Sequence, residues 1–452
     1  MHPKLVGLVD RAIAWKTSRR YHEYLAEFRE MDGWSREKLL AWRWKRLQDL
    51  VRHAYETTTH WKEVLDGLGA RPEDFTAPEH LRLLPPMTKD LINRHPERVT
   101  SSLKPTRPTT VKSTGGSTGK NVWLVIDMET HDRRRAAGRL TEEWDGVYPG
   151  TRTAILWGAS LEAKPSRAAR IYDRIGGRLF LSVYGVDEDR LSEYFDRLES
   201  FRPEVIVSYP SILAHIARSM GKKRCRRVGA RLLYTSAEAL YPPVREELED
   251  YFGAPVRNRY ASREFGMIAS DAPGGGGLSL CEMRLLVEKE PASPASETGE
   301  LLITDLDNRT MPILRYAIGD RGCFNEEADA SGRPWARLAG VEGRSLDVVV
   351  TPDGRAFGGT FFTLIFRPFD QSIEQFQVIQ DRRDHLQIKI VTGPAYDAER
   401  RARLERTLAE QLGSPMSFDL LEVKEIPRLA SGKRRFVVSL IGDATGQGAL
   451  SR

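Results

Sequence analysis

The stretch Ser113-Thr114-Gly115-Gly116-Ser117-Thr118-Gly119-Lys120 is followed at once by an apolar run over residues 122–126. Glycines let a backbone bend tightly and turn its N–H groups inward, as a bound phosphate requires. The hydroxyl groups add hydrogen-bond donors, and Lys120 adds a positive charge. The spacing of a Walker loop is absent, and a strand follows where a Walker loop requires a helix. Taken alone, the stretch therefore predicts a loop with the composition of a phosphate cradle.

Outward from this loop, short apolar runs alternate with amphipathic segments between about residues 110 and 345. This alternation predicts an α/β domain with layered sheets. The expected strands are residues 122–126, 153–157, 205–207, 231–234 and 301–304. The expected helices between them are residues 191–198, 212–218 and 243–251. The glycine-rich segment 271–277 predicts a mobile loop.

The two ends of the chain differ from this middle part. Residues 1 to about 100 predict a mostly helical segment, with apolar residues at helical spacing around Leu47 and Leu50. Pro85 and Pro86 then end one element, and Thr88 is a candidate N-cap for the next.

A second, smaller unit begins near Asp347. Expected strands at 376–379, 386–391 and 418–423, with a helix at 398–412, indicate an α+β module of ordinary domain size. We therefore predict a large N-terminal layered α/β domain, residues 1–345, and a small mobile α+β C-terminal domain, residues 346–452.

Composition narrows the class of protein. With 452 residues, 40% of them hydrophobic, the chain is long enough for two or three domains. It has no apolar run long enough to span a membrane, and the N-terminus lacks the pattern of a signal peptide, so we expect a cytoplasmic protein. Three widely separated cysteines argue against a disulfide framework or a zinc site.

Charge gives little support to a nucleic-acid partner. The formal net charge is +6, which is small for this length. The basic clusters at 133–135 and 222–224 are short and lack interleaved aromatic residues, so a solvated basic face is the preferred interpretation.

Six strings of sequence, in order, resemble the adenylate-forming superfamily of acyl-CoA synthetases and ligases. The likeness is greatest to the branch of phenylacetate-CoA ligases, capsule-biosynthesis relatives and deazaflavin-cofactor-adenylylating synthetases, and it covers nearly the whole chain, including the segment LPPMTKD at 84–90. The six strings are STGGSTGK at 113–120, TSAE at 235–238, NRYASREFG at 258–266, LRYAIGD at 314–320, GRSLD at 343–347 and PRLASGK at 427–433.

The resemblance implies a nucleotide site for ATP and Mg²⁺. It places the glycine loop and Ser236, Ala237 and Glu238 at the nucleotide, and it sets Tyr260 against adenine. Glu264 would help to hold Mg²⁺, which is reasonable chemistry for a carboxylate oxygen. Arg263 stands where the family commonly has a threonine or serine that contacts phosphate; an arginine can do so in another form, or it signals a changed site.

The later strings carry further roles by the same resemblance. Asp320 would accept hydrogen bonds from the ribose hydroxyls. Arg344 would lie near the phosphate and ribose, and Asp347, or Leu346 beside it, would be the hinge of the small domain. Lys433 would reach the acyl carboxylate and the α-phosphate and stabilise charge as pyrophosphate leaves.

The implied activity is ATP-dependent activation of a small-molecule carboxylic acid as an acyl-adenylate, followed by transfer to a thiol, with coenzyme A as the expected acceptor. The acid pocket is expected between the glycine loop and the Tyr260 segment, with Trp157, Tyr184 and Tyr209 as candidate lining residues.

Two alternatives stay open at this point. One is an adenylate-dependent amide ligase or adenylyltransferase. The other is a non-catalytic scaffold, which Arg263, and Asn121 in place of a proline, keep under consideration. Oligomeric state is left open, with a dimer among the allowed states.

Overall fold

The structure is a computed structural model that describes most of the chain. The described residues are 20–75, 78–103, 108–113, 122–157, 176–182, 188–291, 298–325, 331–342, 348–353, 356–366, 369, 372–413, 416–426 and 437–441. The chain forms two compact units. Unit 1 comprises Met1–Gly115, Asn121–Gly150 and Arg257–Glu342, and unit 2 comprises Gly116–Lys120, Thr151–Val256 and Gly343–Arg452.

The helices of the described residues are concentrated before residue 100 and between the strands of unit 2. They are α1 (Tyr21–Met31), α2 (Arg36–Thr57), α3 (Thr59–Gly67), α4 (Lys89–Arg94), α5 (Pro96–Val99), α6 (Met128–Glu143), α7 (Glu188–Phe201), α8 (Pro210–Met220), α9 (Lys222–Val228), α10 (Pro242–Phe252), α11 (Gly359–Phe366) and α12 (Ala398–Leu412).

The strands fall into several sheets. They are β1 (Thr109–Ser113), β2 (Trp123–Asp127), β3 (Thr153–Trp157), β4 (Arg178–Ser182), β5 (Val205–Ser208), β6 (Leu232–Ser236), β7 (Val256–Ser262), β8 (Gly266–Asp271), β9 (Leu278–Leu280), β10 (Leu285–Pro291), β11 (Gly299–Asp305), β12 (Tyr316–Asn325), β13 (Arg337–Glu342), β14 (Val348–Val350), β15 (Ala356–Gly358), β16 (Ile373–Arg382), β17 (His385–Thr392), β18 (Ser417–Glu422) and β19 (Val437–Ser439).

Unit 1 is built on antiparallel pairing. Seven strands run in the order β10-β11-β12-β13-β9-β8-β7, and each neighbouring pair is antiparallel. β1 and β2 form a separate antiparallel hairpin in which Ser113 pairs with Trp123. The glycine loop of the sequence is therefore the connection of this hairpin. Asp127 ends β2 and caps α6, because its Oδ1 accepts from the N–H of Thr130 at 2.7 Å.

Unit 2 contains a parallel sheet. Its strands run in the order β6-β5-β3-β4, with helices in the connections that parallel pairing requires. Pro210 and Pro242 occupy the first turns of α8 and α10, where a missing N–H costs nothing. β5 and β6 are mostly buried apolar runs, which explains why they are readable in the sequence, whereas β4 carries an exposed Phe180 and was not predicted.

The C-terminal part of unit 2 holds a four-stranded sheet in the order β18-β17-β16-β19. The parallel pair β17 and β18 is joined by α12, which begins after the N-cap Asp397 and buries a stripe of Leu404, Leu408 and Leu412.

The predicted mixed α/β fold is confirmed. The described helices between residues 21 and 99 agree with the predicted helical segment, and the candidate cap is confirmed, since Thr88 Oγ1 accepts from the N–H of Leu91 at 3.2 Å. The division into domains 1–345 and 346–452 stays a prediction. Within the described part of the chain, no helix is both long and apolar enough to cross a membrane.

Candidate functional site

Arg263 and Glu264 lie in the tight connection between β7 and β8. Ser262 pairs with Gly266, so only three residues form the loop. The loop is fixed at both ends, because Ser262 Oγ accepts from the N–H of Phe265 at 3.1 Å and Gly266 has a φ of +71°. A positive φ favours glycine over residues with a Cβ. The result is an exposed Arg263 beside a Glu264 that is only 6% exposed.

Asp320 lies in an irregularity of β12. Ala317 pairs with Leu302 and Arg321 with Glu300, so residues 318–320 stand opposite the single residue Leu301. Gly319 within this bulge has a φ of +89°. Bulges redirect side chains and occur often beside active sites. The glycine of the string LRYAIGD is therefore required by the bulge, which sets the position of Asp320.

A hydrogen bond joins the two segments. The hydroxyl of Tyr260 donates to Asp320 Oδ2 at 2.7 Å. Burial, together with the carboxylates of Asp320 and Glu264, raises the pKa of Tyr260 well above its usual value. The phenol therefore stays a neutral donor at physiological pH, and the three residues form one electrostatic cluster.

Tyr316 belongs to the same cluster, although sequence reasoning did not select it. Its side chain is fully buried, and its ring lies edge-on to Phe265 with centroids 5.7 Å apart. Burial and the carboxylates of Glu264 and Asp320 raise the pKa of Tyr316. The signal was present in the string LRYAIGD, where this tyrosine precedes Asp320 by four residues.

Two strings that carry the family resemblance are in direct contact. The N–H of Met87, in LPPMTKD, donates to the carbonyl of Arg315 at 3.0 Å. The N–H of Ala317 donates back to the carbonyl of Met87, also at 3.0 Å. The segment LPPMTKD therefore supports the start of β12 just before the Asp320 bulge.

A buried ionic network lies beneath the loop that carries Glu264. Arg284 donates to the carbonyl of Phe265 at 2.9 Å and pairs with Asp305 and Asp307 at 3.2 and 2.9 Å. Arg134 pairs with Asp305 at 3.0 Å, and its aliphatic carbons lie against Gly266. The loop is thus anchored through its backbone to charged groups that are themselves fixed.

The same network extends away from the loop through Asp307. This carboxylate also binds Arg133 at 2.8 Å and Arg46 at 2.7 Å. Burial alone would raise the pKa of Asp307, but the guanidinium groups of Arg133, Arg284 and Arg46 hold it below its usual value. Asp307 is therefore ionised at neutral pH.

The interpretation of residues 133–135 as a solvated face was wrong for two of the three. Arg133 is 3% and Arg134 is 9% exposed, because both pair with aspartates at the end of β11. In the other basic cluster, Lys222 and Arg224 do lie at the surface, paired with acidic side chains of neighbouring helices.

The candidate residues of unit 2 lie at the carboxyl edge of its parallel sheet. Trp157 ends β3 and Tyr209 follows β5, and their rings stack with centroids 4.2 Å apart. Small ligands in α/β sheets commonly bind outside this edge. Tyr209 is only 4% exposed, so the stacked rings of Tyr209 and Trp157 form a packed wall at this edge.

Ser236 ends β6, and Ala237 and Glu238 follow it at the same edge. Ala237 has a φ of +69°, a strained conformation for a residue with a Cβ. Glu238 Oε2 accepts from the N–H of Ser211 at 3.1 Å, so it satisfies the N-terminus of α8. The structure therefore brings Glu238 close to the segment that follows Tyr209.

Several candidate residues lie outside the described residues. They are Thr114 to Lys120 of the glycine loop, Tyr184, Arg344, Leu346, Asp347 and Lys433, and of Ser113 only the backbone is described. Their assigned roles stay predictions.

Comparison with known proteins agrees with the motifs. A family model described as the CapK C-terminal domain matches residues 349–440. The chain is 22% identical to Protein CapK of Staphylococcus aureus over 434 residues, which cover 94% of this chain and 93% of the relative. It is 23% identical to the phenylacetate-coenzyme A ligase of Thermus thermophilus over 446 residues, which cover 91% and 98%.

Solved structures show the same fold. A crystal structure of 2-hydroxyisobutyryl-CoA ligase, in complex with 2-HIB-AMP and CoA in the thioesterification state, matches with a TM-score of 0.64 and 18% identity. The match covers 94% of each chain. An open conformation of that ligase matches with a TM-score of 0.54.

The chain is similar over most of its length to Protein CapK and to a phenylacetate-coenzyme A ligase, which agrees with the resemblance of its motifs to the adenylate-forming superfamily of acyl-CoA synthetases and ligases. The relatives named phenylacetate-coenzyme A ligase support the likeness to that branch which the motifs predicted.

Proposed function

We propose that the protein uses ATP to activate a small carboxylic acid as an acyl-adenylate, and then transfers the acyl group to the thiol of coenzyme A. The observation that carries the proposal is the cluster of Tyr260, Glu264 and Asp320. These residues come from two different motifs, and both motifs predict contacts with the same nucleotide. Similar proteins across almost the full length are named as phenylacetate-coenzyme A ligases, which supports both halves of the reaction.

The cluster has the chemistry that a nucleotide needs. Asp320 uses one carboxylate oxygen for Tyr260 at 2.7 Å, and the carboxylate keeps acceptor capacity for ribose hydroxyl groups. The ring of Tyr260, held by that hydrogen bond, offers a fixed face for adenine.

Glu264 fits a role at Mg²⁺. Magnesium bound to ATP usually takes one or two protein carboxylates, with phosphate oxygens and water as its other ligands. A single buried carboxylate on a rigid loop meets this requirement. Bound Mg²⁺ would neutralise charge on the phosphates and orient the α-phosphorus. No cluster of three or more His, Cys, Asp or Glu side chains that could hold a metal occurs among the described residues, so a dedicated protein cage for a metal is not part of this proposal.

The first step is an in-line displacement. A carboxylate oxygen of the acid attacks the α-phosphorus of ATP, and the bond to the β-phosphate oxygen breaks to release pyrophosphate. The chain's task is to align the carboxylate and to stabilise charge on the phosphates. Lys433 and Arg344 supply the cations at the α-phosphate in this proposal, and the glycine loop cradles the other phosphates.

The second step is thioester formation. The thiolate of coenzyme A attacks the carbonyl carbon of the acyl-adenylate, and AMP leaves with the bonding electron pair. Between the two steps, the C-terminal domain turns about the hinge at Asp347. The proposed setting is the cytoplasm, where ATP and coenzyme A meet.

A product assay tests the proposal. Protein, ATP and Mg²⁺ are mixed with a panel of aryl, fatty and amino acids, with coenzyme A or with amines, and pyrophosphate, AMP and acyl products are measured. We expect AMP and a thioester with at least one acid. If an amide forms in place of a thioester, the acyl acceptor is an amine and not coenzyme A, and the second half of the proposal is wrong. No release of AMP or pyrophosphate with any acid, together with no binding of ATP, would overturn it.

A matched pair of variants ties the activity to the cluster. Glu264→Gln removes the proposed magnesium ligand, whereas Glu143→Gln removes a carboxylate of unit 1 that pairs with the exposed Arg29 at 2.6 Å. We expect loss of activity in the first variant alone.

A further inference from the structure

A cavity of about 810 Å³ lies in unit 1 between α2 and the strands β10, β12 and β13. We call it the tryptophan cavity after Trp34, Trp44 and Trp335, which contribute to its walls. Its volume is typical of small-molecule sites, which span ~300–1,000 Å³. None of its described lining residues is among those predicted for the nucleotide, the magnesium ion or the acid. The tryptophan cavity is therefore a space that the proposed reaction does not use.

One wall of the tryptophan cavity is fixed by a buried carboxylate. Glu282 is 2% exposed and accepts from the guanidinium groups of Arg36 and Arg43. It also accepts from the N–H of Ala336 at 2.7 Å, and Arg36 donates to the carbonyl of Pro334 at 2.8 Å. These bonds join α2 to the segment that leads into β13, so this wall keeps its shape without a ligand.

The same wall holds a buried donor that lacks an acceptor. Arg43 is 7% exposed, and its Nε–H has no hydrogen-bond partner among the described residues. Burial lowers the pKa of its guanidinium, the carboxylate of Glu282 opposes this effect, and Arg36 lowers the pKa further. A buried N–H without an acceptor costs free energy, so an oxygen atom that meets it is stabilised. Arg43 therefore indicates a ligand with an acceptor group.

The other charges of the lining are mainly positive. Besides the ion pairs of Glu282, the cavity is lined by four cations, Arg82, Lys289, Arg333 and Arg337. Glu288 is the other carboxylate among the described lining residues, and it pairs with Arg315 at 3.3 Å. Asp32 pairs with Arg333 at 3.4 Å. The cavity therefore keeps a modest surplus of positive charge, and a concave surface of this kind concentrates anions.

The aromatic side chains define the rest of the ligand. Trp335 is 3% exposed, and its Nε1–H donates to Asp32 at 2.6 Å, so the ring is held in place. Trp34, Trp44 and Phe324 are partly exposed, so a ligand can reach their rings. Flat rings favour an aromatic body, which stacks on them or meets them edge-on.

The balance of charge favours a single anionic group. A phosphate chain carries several negative charges, and Glu282 and Glu288 in the lining would repel them. One carboxylate fits better, since its two oxygens accept in parallel from a guanidinium group. An aromatic carboxylate therefore matches both the charge and the rings of the tryptophan cavity.

We propose that the tryptophan cavity is a binding site for a small aromatic carboxylate, separate from the nucleotide site, with Arg82 and Trp44 among the residues that hold it. Binding at this site requires neither ATP nor Mg²⁺. The inference does not depend on the proposed function, because no step of that reaction takes place in this cavity.

Calorimetric titration of the full-length protein with 2-naphthoate, without ATP or Mg²⁺, tests this site. We expect saturable binding. Arg82→Gln and Trp44→Leu should each weaken it at least about fivefold, since the first removes a charge-assisted contact and the second a ring contact. Neutral 2-naphthamide and non-aromatic decanoate should each bind at least about fivefold more weakly than 2-naphthoate.

Two neighbours on α2 provide matched controls. Lys45→Gln removes an exposed positive charge and Trp42→Leu removes a ring, and neither residue is among the described lining residues. Both variants should bind 2-naphthoate within about twofold of the unchanged protein. Thermal melting of each variant checks its folding. Arg82 is exposed, so Arg82→Gln decides the test if Trp44→Leu proves unstable.

Four results would overturn the inference. The first is the absence of saturable binding. The second is unchanged affinity in both Arg82→Gln and Trp44→Leu, which would place 2-naphthoate elsewhere on the protein. The third is equal weakening by the control variants, which would indicate a general effect of charge or packing. The fourth is equal affinity for 2-naphthamide or decanoate, which would show that the cavity does not select an aromatic carboxylate.

Discussion

Replacing Asp320 by asparagine gives a quantitative test of the nucleotide site. The carboxylate has two oxygens, and Oδ2 accepts from Tyr260 at 2.7 Å. The asparagine side chain would keep a single acceptor oxygen, and Tyr260 would compete for it. A ribose hydroxyl then loses its charged acceptor.

The size of the effect follows from that loss. A hydrogen bond to a charged group contributes about 1.5–3 kcal/mol, so the affinity for ATP should fall about ten- to a hundredfold. Tyr260→Phe keeps the aromatic ring and frees the remaining oxygen. The double variant Tyr260→Phe/Asp320→Asn should therefore bind ATP more tightly than Asp320→Asn alone.

The assay is a calorimetric comparison of ATP with 2′,3′-dideoxy-ATP. The unchanged protein should prefer ATP, and the Asp320→Asn variant should lose most of that preference, because the ribose hydroxyls no longer meet a carboxylate. Thermal melting of both proteins controls for folding. If the ratio of the two affinities is the same in the variant and the unchanged protein, Asp320 does not bind the ribose.

Three other expectations can be checked separately. Lys433→Ala should sharply reduce acid-dependent ATP–pyrophosphate exchange without lowering the melting temperature; near-normal exchange would remove this lysine from the mechanism. Burial raises the pKa of the Cys225 and Cys281 thiols to about 12, so at about pH 8 a disulfide reagent should modify only Cys323 rapidly, and three fast thiols would contradict the packing. These folded-state pKa values lie above the value near 9 of an exposed thiol. The contribution of the two protonated thiols to the free energy of unfolding is therefore present in full below about pH 9 and is lost as the pH rises towards 12. Arg284→Met should destabilise the protein by about 3–5 kcal/mol, since it leaves two buried carboxylates with fewer partners, whereas the surface variant Arg227→Gln should change the melting temperature little.

Local sequence was sufficient where one element carries its own signals. Strand β3 has the predicted bounds, because a buried parallel strand is a continuous apolar run. Helix α12 also has the predicted bounds, since Asp397 caps it and three leucines repeat every four residues.

The position of the Asp320 side chain was not predictable in the same way. The motif identified the residue, but the bulge of β12 exists only through its pairing with β11. Register between strands depends on contacts that one strand's sequence does not contain. The contribution of Tyr316 depends on the same pairing, because it brings the phenol towards Glu264.

Burial of Arg133 and Arg134 was missed for a related reason. Their partners Asp307 and Asp305 are 174 and 171 residues away in sequence. A run of three arginines on a helix usually indicates a solvated surface. The paired aspartates after the apolar run of β11 were the one local signal that a charged partner was needed.

Acid-dependent exchange of labelled pyrophosphate into ATP tests the central claim most directly. Without coenzyme A, the reaction can only run to the acyl-adenylate and back, so label enters ATP only if that intermediate forms. We predict exchange that requires Mg²⁺ and at least one carboxylic acid of the panel, that is lost in Glu264→Gln and that persists in Glu143→Gln. ATP that gains no label with any acid, or gains it equally without acid, would contradict the account.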